Sequence, residues 1–384
     1  MDFTLTEEQQ LLLDSLQELI LREGPETYWK ECDREERQPV EFVKSLIDNG
    51  FGLLGVPEEH GGVPVDYMTQ ILVAQHLCKF GAPHNLLSSP LQIKDILSFG
   101  NAEQIAQTMD VVKQGYLAFS LGITEPQAGS DTNRIAATFT RKNGKVYING
   151  NKTFITEGDR CPYMMCMTRD FAVEDLSKAF TMWWIDVEKH KANIKFEKLD
   201  KIGWKMNHTC EVYLENVELD ESDMLGKEGH GFMQLMENFE IERLIMAAYI
   251  LGMAECAFAD AARYVNQRVQ FGKPIAAQQI TQLKIAEMYT KLENMRNMIY
   301  RCAWEMDQGM SVQISSAMCK LYCAQAGNEV IDQALQLHGG IGYTNDARVS
   351  RLWRDARVFR IGGGTDEIMV HILGRAVLKQ YKDK

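Results

Sequence analysis

The sequence predicts an α+β protein whose sheet lies between two helical segments, and three observations lead there. Eight of the nine prolines (Pro25, Pro39, Pro57, Pro64, Pro83, Pro90, Pro126 and Pro162) fall in the first 162 residues, leaving only Pro274 beyond. The carboxy-terminal half can therefore carry long unbroken helices. Apolar residues recur at helical spacing near both ends of the chain, whereas the middle alternates β-branched and aromatic residues with polar ones. The 384 residues are enough for about two or three domains.

Residues 1–116 read as a helical domain, with runs such as LLLDSLQELI and FVKSLI separated by the turn clusters EEHGGVP and GAPHN. Residues 117–226 change texture to short strands: AATFTRKNGKVYINGNKTFIT, AFTMWWIDV, ANIKFEKL and CEVYLENVEL. The KNG turn between TFTR and KVYI signals a hairpin, so this segment reads as mostly antiparallel sheet. Residues 227–384 return to helical period and read as bundle helices. The order is not an alternating βαβ layout, and no GxGxxG follows a strand. The glycine runs GGIG (Gly339–Gly342) and IGGGT (Ile361–Thr365) each follow helix-like stretches, where helix stops and binding loops are equally good readings.

Composition narrows the function. Lys+Arg number 41 against Asp+Glu 53, a net charge of −12, and no basic block overrides that total, so nucleic acid is not the expected partner. The amino terminus is acidic where a secretory leader needs a basic stretch, and the sequence reads as lacking a membrane span, which gives a cytoplasmic expectation. Nine cysteines with no CxxC pair are expected to be reduced core thiols, and no metal set is read from them.

The densest polar constellation is LGITEPQAGSD, Leu121 to Asp131, whose hydroxyls and approachable backbone amides suit a heteroaromatic edge or a phosphate, or else a polar turn. ITEPQAGSD, INGNKTFIT, RVQFGKPI, QLHGGIGYT with WRDAR, and GGGTDEI follow in that order along the chain. Together they resemble the acyl-CoA dehydrogenase family over essentially the whole sequence. Within the family they are most similar to the bacterial branch containing crotonobetainyl-CoA reductase.

The resemblance implies a homotetramer of subunits with a helical domain, a middle antiparallel β-barrel and a carboxy-terminal four-helix bundle. It implies FAD as cofactor, a CoA-thioester substrate and an electron-transferring flavoprotein as partner, for either acyl-CoA oxidation or 2-enoyl-CoA reduction. It places Leu121, Ile123 and Thr124 along the flavin ring and Ser130 near the pyrophosphate or the CoA. Phe154 falls where relatives usually have Trp against the flavin, and Thr156 beside its reactive edge. Arg268, Phe271, Gln279, Gln336, Gly339 and Gly340 would complete the adenosine half of a neighbouring subunit's FAD. Thr365 and Glu367 match further adenine- and phosphate-side positions, although relatives commonly carry Gln where Glu367 stands. Ser130, Phe239, Arg243, Gly363 and Gly364 would meet the thioester.

The catalytic base departs from the best-known members, which carry Glu immediately before the Gly-Thr of the last motif. Here that position is Gly363, which has no proton acceptor. Other branches take the base from a helix motif resembling LERL, matched here by FEIERL (Phe239–Leu244) with Glu242 as the candidate. Residues three, four and seven positions from Glu242 include Leu235, Phe239, Ile245, Met246 and Tyr249, so it interrupts an apolar stripe and is expected to face the interior with a raised pKa. Glu240 has a surface ion pair with Arg243 as its explanation, worth about 0.2–0.5 kcal/mol. The Gly363 backbone N–H remains available to the thioester oxygen. The alternative is a flavin-binding but inactive scaffold or electron-transfer assembly partner.

Overall fold

The structure, a computed structural model, describes residues 4–86, 90–115 and 117–382, so the expected boundary residue 116 and both chain ends lie outside it. Helices α1 (Glu7–Glu23), α2 (Glu26–Glu35), α3 (Val40–Asp48), α4 (Tyr67–Lys79), α5 (Pro90–Phe99) and α6 (Ala102–Gln114) form the first layer. Two of them start on capping boxes, Thr6 with Gln9 and Asn101 with Gln104, each satisfying two otherwise orphaned backbone donors. Leu16, Ile20, Trp29, Phe42 and Leu46 fill their core.

The strands are β1 (Phe119–Gly122), β2 (Thr138–Lys142), β3 (Lys145–Thr156), β4 (Tyr163–Arg169), β5 (Phe180–Asp186), β6 (Ile194–Lys198), β7 (Thr209–Leu219) and β8 (Met224–Leu225). The KNG signal is a hairpin as expected: Asn143 and Gly144 both take positive φ (54° and 75°), which only a pair of this kind tolerates in so tight a turn. The expected barrel is an eight-stranded sheet in the order β6-β7-β3-β2-β4-β5-β8, with β1 added beside β4. Among the described residues β6 and β8 do not pair with each other, and the halves meet through the single pair Thr138–Arg169. The sheet folds over a core in which Val146, Ile148 and Val212 from one half meet Cys166, Trp183 and Ile185 from the other. Two pairings, β1–β4 and β2–β4, are parallel, which alternation within a strand cannot reveal.

Beyond the sheet come α7 (Gly231–Gln267), the two-residue strands β9 (Val269–Gln270) and β10 (Lys273–Pro274), α8 (Gln279–Asp307), α9 (Gln313–His338), α10 (Arg348–Ala356) and α11 (Asp366–Gln380). α7 corrects the expectation that nothing here could span a membrane. It is long and apolar enough by length and composition to cross one, yet most of its apolar stretch is buried inside the protein. Its apolar surface is explained by α4, α8 and α9, which pack around it: a Cβ on Gly252 would lie 2.2 Å from the Gln75 carbonyl oxygen of α4. All nine cysteines are free and buried.

Candidate active site

The LGITEPQAGSD segment leaves β1 and is pinned from below by a buried ion pair that the sequence reading missed. Lys152 Nζ donates to Glu125 Oε1 at 2.8 Å, to the Met167 carbonyl at 2.6 Å and to the Ile123 carbonyl at 3.2 Å. Glu125 also accepts the backbone N–H groups of Ala136 and Ala137 at 2.7 and 2.9 Å. Both charges are fully enclosed, and the hydrogen bonds that saturate them are what such burial requires. The pair fixes the backbone of 123–125, and the Thr153 N–H, released from the ladder by an irregularity in β3, donates to the Thr124 carbonyl at 2.9 Å.

That irregularity also turns Phe154 outward. Its φ of 58° is unusual for a bulky residue, and the ring is left 67% exposed between buried Thr153 and Ile155. An exposed aromatic face held by a strained backbone, next to part-buried Thr124 and Thr156, suits a flat heteroaromatic ligand. Leu121 is part-buried and Ser130 exposed, but the Ile123 side chain belongs to the core, so only its backbone faces such a ligand.

The outward corner at 154–157 is tied to the segment before β7. The Glu157 N–H donates to the His208 carbonyl at 3.0 Å, and Glu157 Oε1 accepts the His208 N–H at 2.7 Å. Lys201 Nζ donates to the carbonyls of Trp204 and Asn207 and to Thr209 Oγ1. The Trp204 ring stacks on His84 at 4.6 Å, and His84 in turn contacts Tyr249 of α7 and Phe359 at 5.7 and 4.8 Å. Burial lowers the His84 pKa to about 3, so this aromatic seam is neutral. It carries the sheet's outward corner to the helices that hold the predicted base.

Glu242 lies on α7, one turn from Met246, and is part-buried. A Cβ built on Gly363 would sit 3.9 Å from Glu242 Oε1 and 2.5 Å from Met246 Sδ. Glu242 thus approaches the place where a side chain at 363 would begin, and Met246 fills the space that chain would need. Desolvation raises the Glu242 pKa, opposed by the positive charges of Arg243 and Lys320. No described hydrogen bond uses the Gly363 N–H, and Gly363 and Gly364 hold φ of 63° and 97°, conformations that favour glycine.

Glu240 is corrected: among the described residues it makes no ion pair, is partly buried, and has a pKa raised by desolvation with Arg243 opposing. Arg243 itself is 6% exposed with its Nε unpartnered, and its guanidinium stands 5.8 Å from the Phe239 ring. Lys320 of α9 is another residue that the sequence did not single out: it is 1% exposed and its ammonium donates to the Gly364 carbonyl. It interrupts the apolar run AMCKLYCA as Glu242 interrupts its own, and the same pattern could have found it.

The remaining predicted residues stand elsewhere. Arg268, Phe271, Gln279, Gln336, Gly339 and Gly340 are all exposed at the far end of the bundle, where Tyr264 stacks on His338 at 4.8 Å. Arg268 follows Glu242 by 26 residues of helix, about 39 Å. The two cannot serve one small ligand within a single chain. Thr365 caps α11, accepting the Ile368 N–H at 3.3 Å, while Glu367 is exposed.

Comparison with known proteins identifies the family. Family models for the acyl-CoA dehydrogenase N-terminal, middle and C-terminal domains match residues 6–115, 120–217 and 229–378. The chain is 54% identical over 385 residues to probable acyl-CoA dehydrogenase YdiO of Escherichia coli K12, with both covered completely. Butyryl-CoA dehydrogenase from Megasphaera elsdenii superposes with a TM-score of 0.89 at 28% identity, over 98% of this chain and 100% of that one. A chain solved in work on the electron transferring flavoprotein of Acidaminococcus fermentans and flavin-based electron bifurcation superposes at 0.90 with 30% identity, over 99% and 100%. The exposed Phe154 face, the pinned 123–125 backbone and a carboxylate beside an unengaged N–H are a fitting setting for a flavin and a thioester, and the chain belongs to the acyl-CoA dehydrogenase family, FAD-dependent oxidoreductases acting on CH–CH bonds.

Proposed function

We propose that the protein interconverts a short or modified acyl-CoA, crotonobetainyl-type thioesters among them, and its trans-2-enoyl-CoA, with Glu242 as base. The observation carrying this reading is the Glu242 carboxylate oxygen 3.9 Å from the Cβ position of Gly363. Glu242 takes the α-proton onto its carboxylate, and its raised pKa brings its basicity toward that of the carbon acid. The Gly363 N–H meets the thioester oxygen as negative charge develops there, which makes the α-proton acidic enough to remove. FAD, when bound, supplies the acceptor for the β-hydrogen and its electron pair. Phe154, Leu121, Thr124 and Thr156, with the Ile123 backbone, would hold the flavin, and Ser130, Phe239, Arg243 and Gly364 would position the thioester. Enoyl-CoA reduction uses the same parts in reverse.

The same reading includes the partition 1–116, 117–226 and 227–384, a cytoplasmic location and an electron-transferring flavoprotein as electron partner. It also includes a homotetramer in which Arg268, Phe271, Gln279, Gln336, Gly339 and Gly340 of one subunit complete a neighbour's FAD site, with Thr365 and Glu367 on the adenine and phosphate side. The exposure of Arg268, Phe271, Gln279, Gln336, Gly339 and Gly340 in the single chain supports it, as does the open space around Gly339 and Gly340, where a Cβ would meet nothing within 4 Å.

Anaerobic titration of the flavin-loaded protein with short-chain acyl-CoAs, and of its reduced form with crotonobetainyl-type enoyl-CoAs, tests the reading. Flavin bleaching or reoxidation is expected, slowed by about 10²–10⁴-fold in Glu242→Gln with flavin retained. Flavin that binds yet responds to no thioester would replace this reading with an inactive flavin-binding scaffold.

A further inference from the structure

Lys320 is the charged side chain the proposed reaction leaves unused, and its surroundings are specific. It is 1% exposed on α9, and its ammonium donates to the Gly364 carbonyl. That carbonyl belongs to a loop otherwise held only at its ends. The Ile361 and Gly362 N–H groups both donate to the Val358 carbonyl at 2.8 Å, and Thr365 begins the cap of α11. Between those anchors stands Gly363, whose N–H is the proposed oxyanion donor. The charges facing the ammonium come from two other helices: Asp366 and Glu367 on α11, and Glu242 with Arg243 on α7. Asp366 Oδ2 accepts Arg360 Nε at 2.7 Å and Gln325 Nε2 at 3.1 Å, while its Oδ1 is buried without a hydrogen-bond partner. Among the described residues Glu242 has no ion-pair partner, which leaves Arg243 first and Lys320 second as the cations acting on it through the field.

We propose that Lys320 is a positioning residue of the active site: its ammonium tethers the Gly363–Gly364 loop through the Gly364 carbonyl and is a counter-charge that keeps Glu242 available as a carboxylate. This inference rests on Glu242 being the base. One lysine thereby links the two halves of proton abstraction, the base and the donor that acidifies the substrate. Burial lowers the Lys320 pKa to about 8, so the tether loses its charge in mildly alkaline solution. The sign for Glu242 is fixed: removing a nearby cation destabilises its carboxylate and raises its pKa.

The test needs no turnover. In flavin-loaded protein without substrate, the infrared carbonyl band of protonated Glu242, isolated by subtracting the spectrum of Glu242→Gln, is followed across pH in wild type, Lys320→Met and Lys320→Arg. Lys320→Met should move the Glu242 midpoint upward by about one pH unit, and Lys320→Arg, which keeps the charge, should hold it near wild type. If Lys320→Met does not fold, Lys320→Gln, which removes the charge and retains a polar end, is expected to shift the midpoint in the same direction. An unmoved midpoint in the folded neutral variant, or the absence of any titrating Glu242 band, would overturn the proposal. Failure of every thioester to bleach the flavin would overturn the dehydrogenase reading and leave this measurement valid.

Discussion

Burial disfavours the charged form of Glu242, and that has consequences beyond rate. Its folded pKa lies above the ordinary 4.5 because burial penalises the carboxylate. The folded protein therefore binds this proton more tightly than the unfolded chain does. The stabilisation is complete below pH 4.5 and disappears as pH rises through the folded pKa. The rate should run the opposite way, rising with pH along an acid limb that lies above the normal range for glutamate. Glu242→Gln should lose that limb and should melt higher than wild type at neutral pH, with the advantage shrinking in acid. Paired thermal melts at acid and neutral pH check this, and a variant no more stable than wild type at neutral pH would contradict the desolvation account. Glu242 was readable in the sequence because a carboxylate interrupting an apolar helical stripe has few innocent explanations. Lys201 and Trp204 were not, because their partners are backbone carbonyls, a carboxylate on α10 and aromatic faces contributed by distant segments.

At the scale of the element, the sheet's role in the site depends on one strand corner being held out of register. β3 pairs with β7 from Val146 to Ile148, from Gly150 to Lys152 and again at Ile155 and Thr156, with a register shift between successive runs. Within the second shift the Thr153 N–H turns to the incoming Thr124 carbonyl and Phe154 is pushed into the left-handed region. The Asn143-Gly144 hairpin was legible because its backbone demands those residue types locally. The Phe154 corner was not, since it depends on a loop delivered from about thirty residues earlier in the chain. The Glu125–Lys152 pair holds that loop, and removing one charge strands the other fully enclosed in the protein. Lys152→Met should therefore cost about 3–5 kcal/mol in chemical denaturation. If the pair serves to place the flavin face, FAD affinity should fall along with stability. Unchanged denaturation midpoint and unchanged FAD affinity together would show that the ion pair neither supports the sheet nor shapes the site.

The whole molecule presents a division that no single element shows. The proposed chemistry lies near the start of α7, while the residues assigned to the adenosine half of FAD lie beyond its far end, about 39 Å away along the helix. The family resemblance implies a neighbouring subunit's FAD for these residues, and the unbroken length of α7 supplies a distance that motif spacing alone does not. At that far end Phe271 is 95% exposed at a φ of 51°, and Val269, Ile280, Leu283 and Tyr343 are also exposed. A groove of about 410 Å³ runs between α7 and α8 nearby, lined by Phe258, Val265, Ile285 and Tyr289. Apolar side chains gathered in this way on a chain of net charge −12 are costly to leave in water and are the expected substance of a subunit interface. Phe271→Asp puts a charge into that surface and touches no part of Glu242, Gly363 or Phe154. Sedimentation velocity should show the assembly dissociating, and the ratio of flavin to protein absorbance should fall with it, because each site would lose its neighbour's contribution. A variant that dissociates but keeps its full complement of FAD would show that one chain completes the site alone. Retention of the assembly with loss of flavin would instead assign Phe271 to the cofactor rather than to the interface.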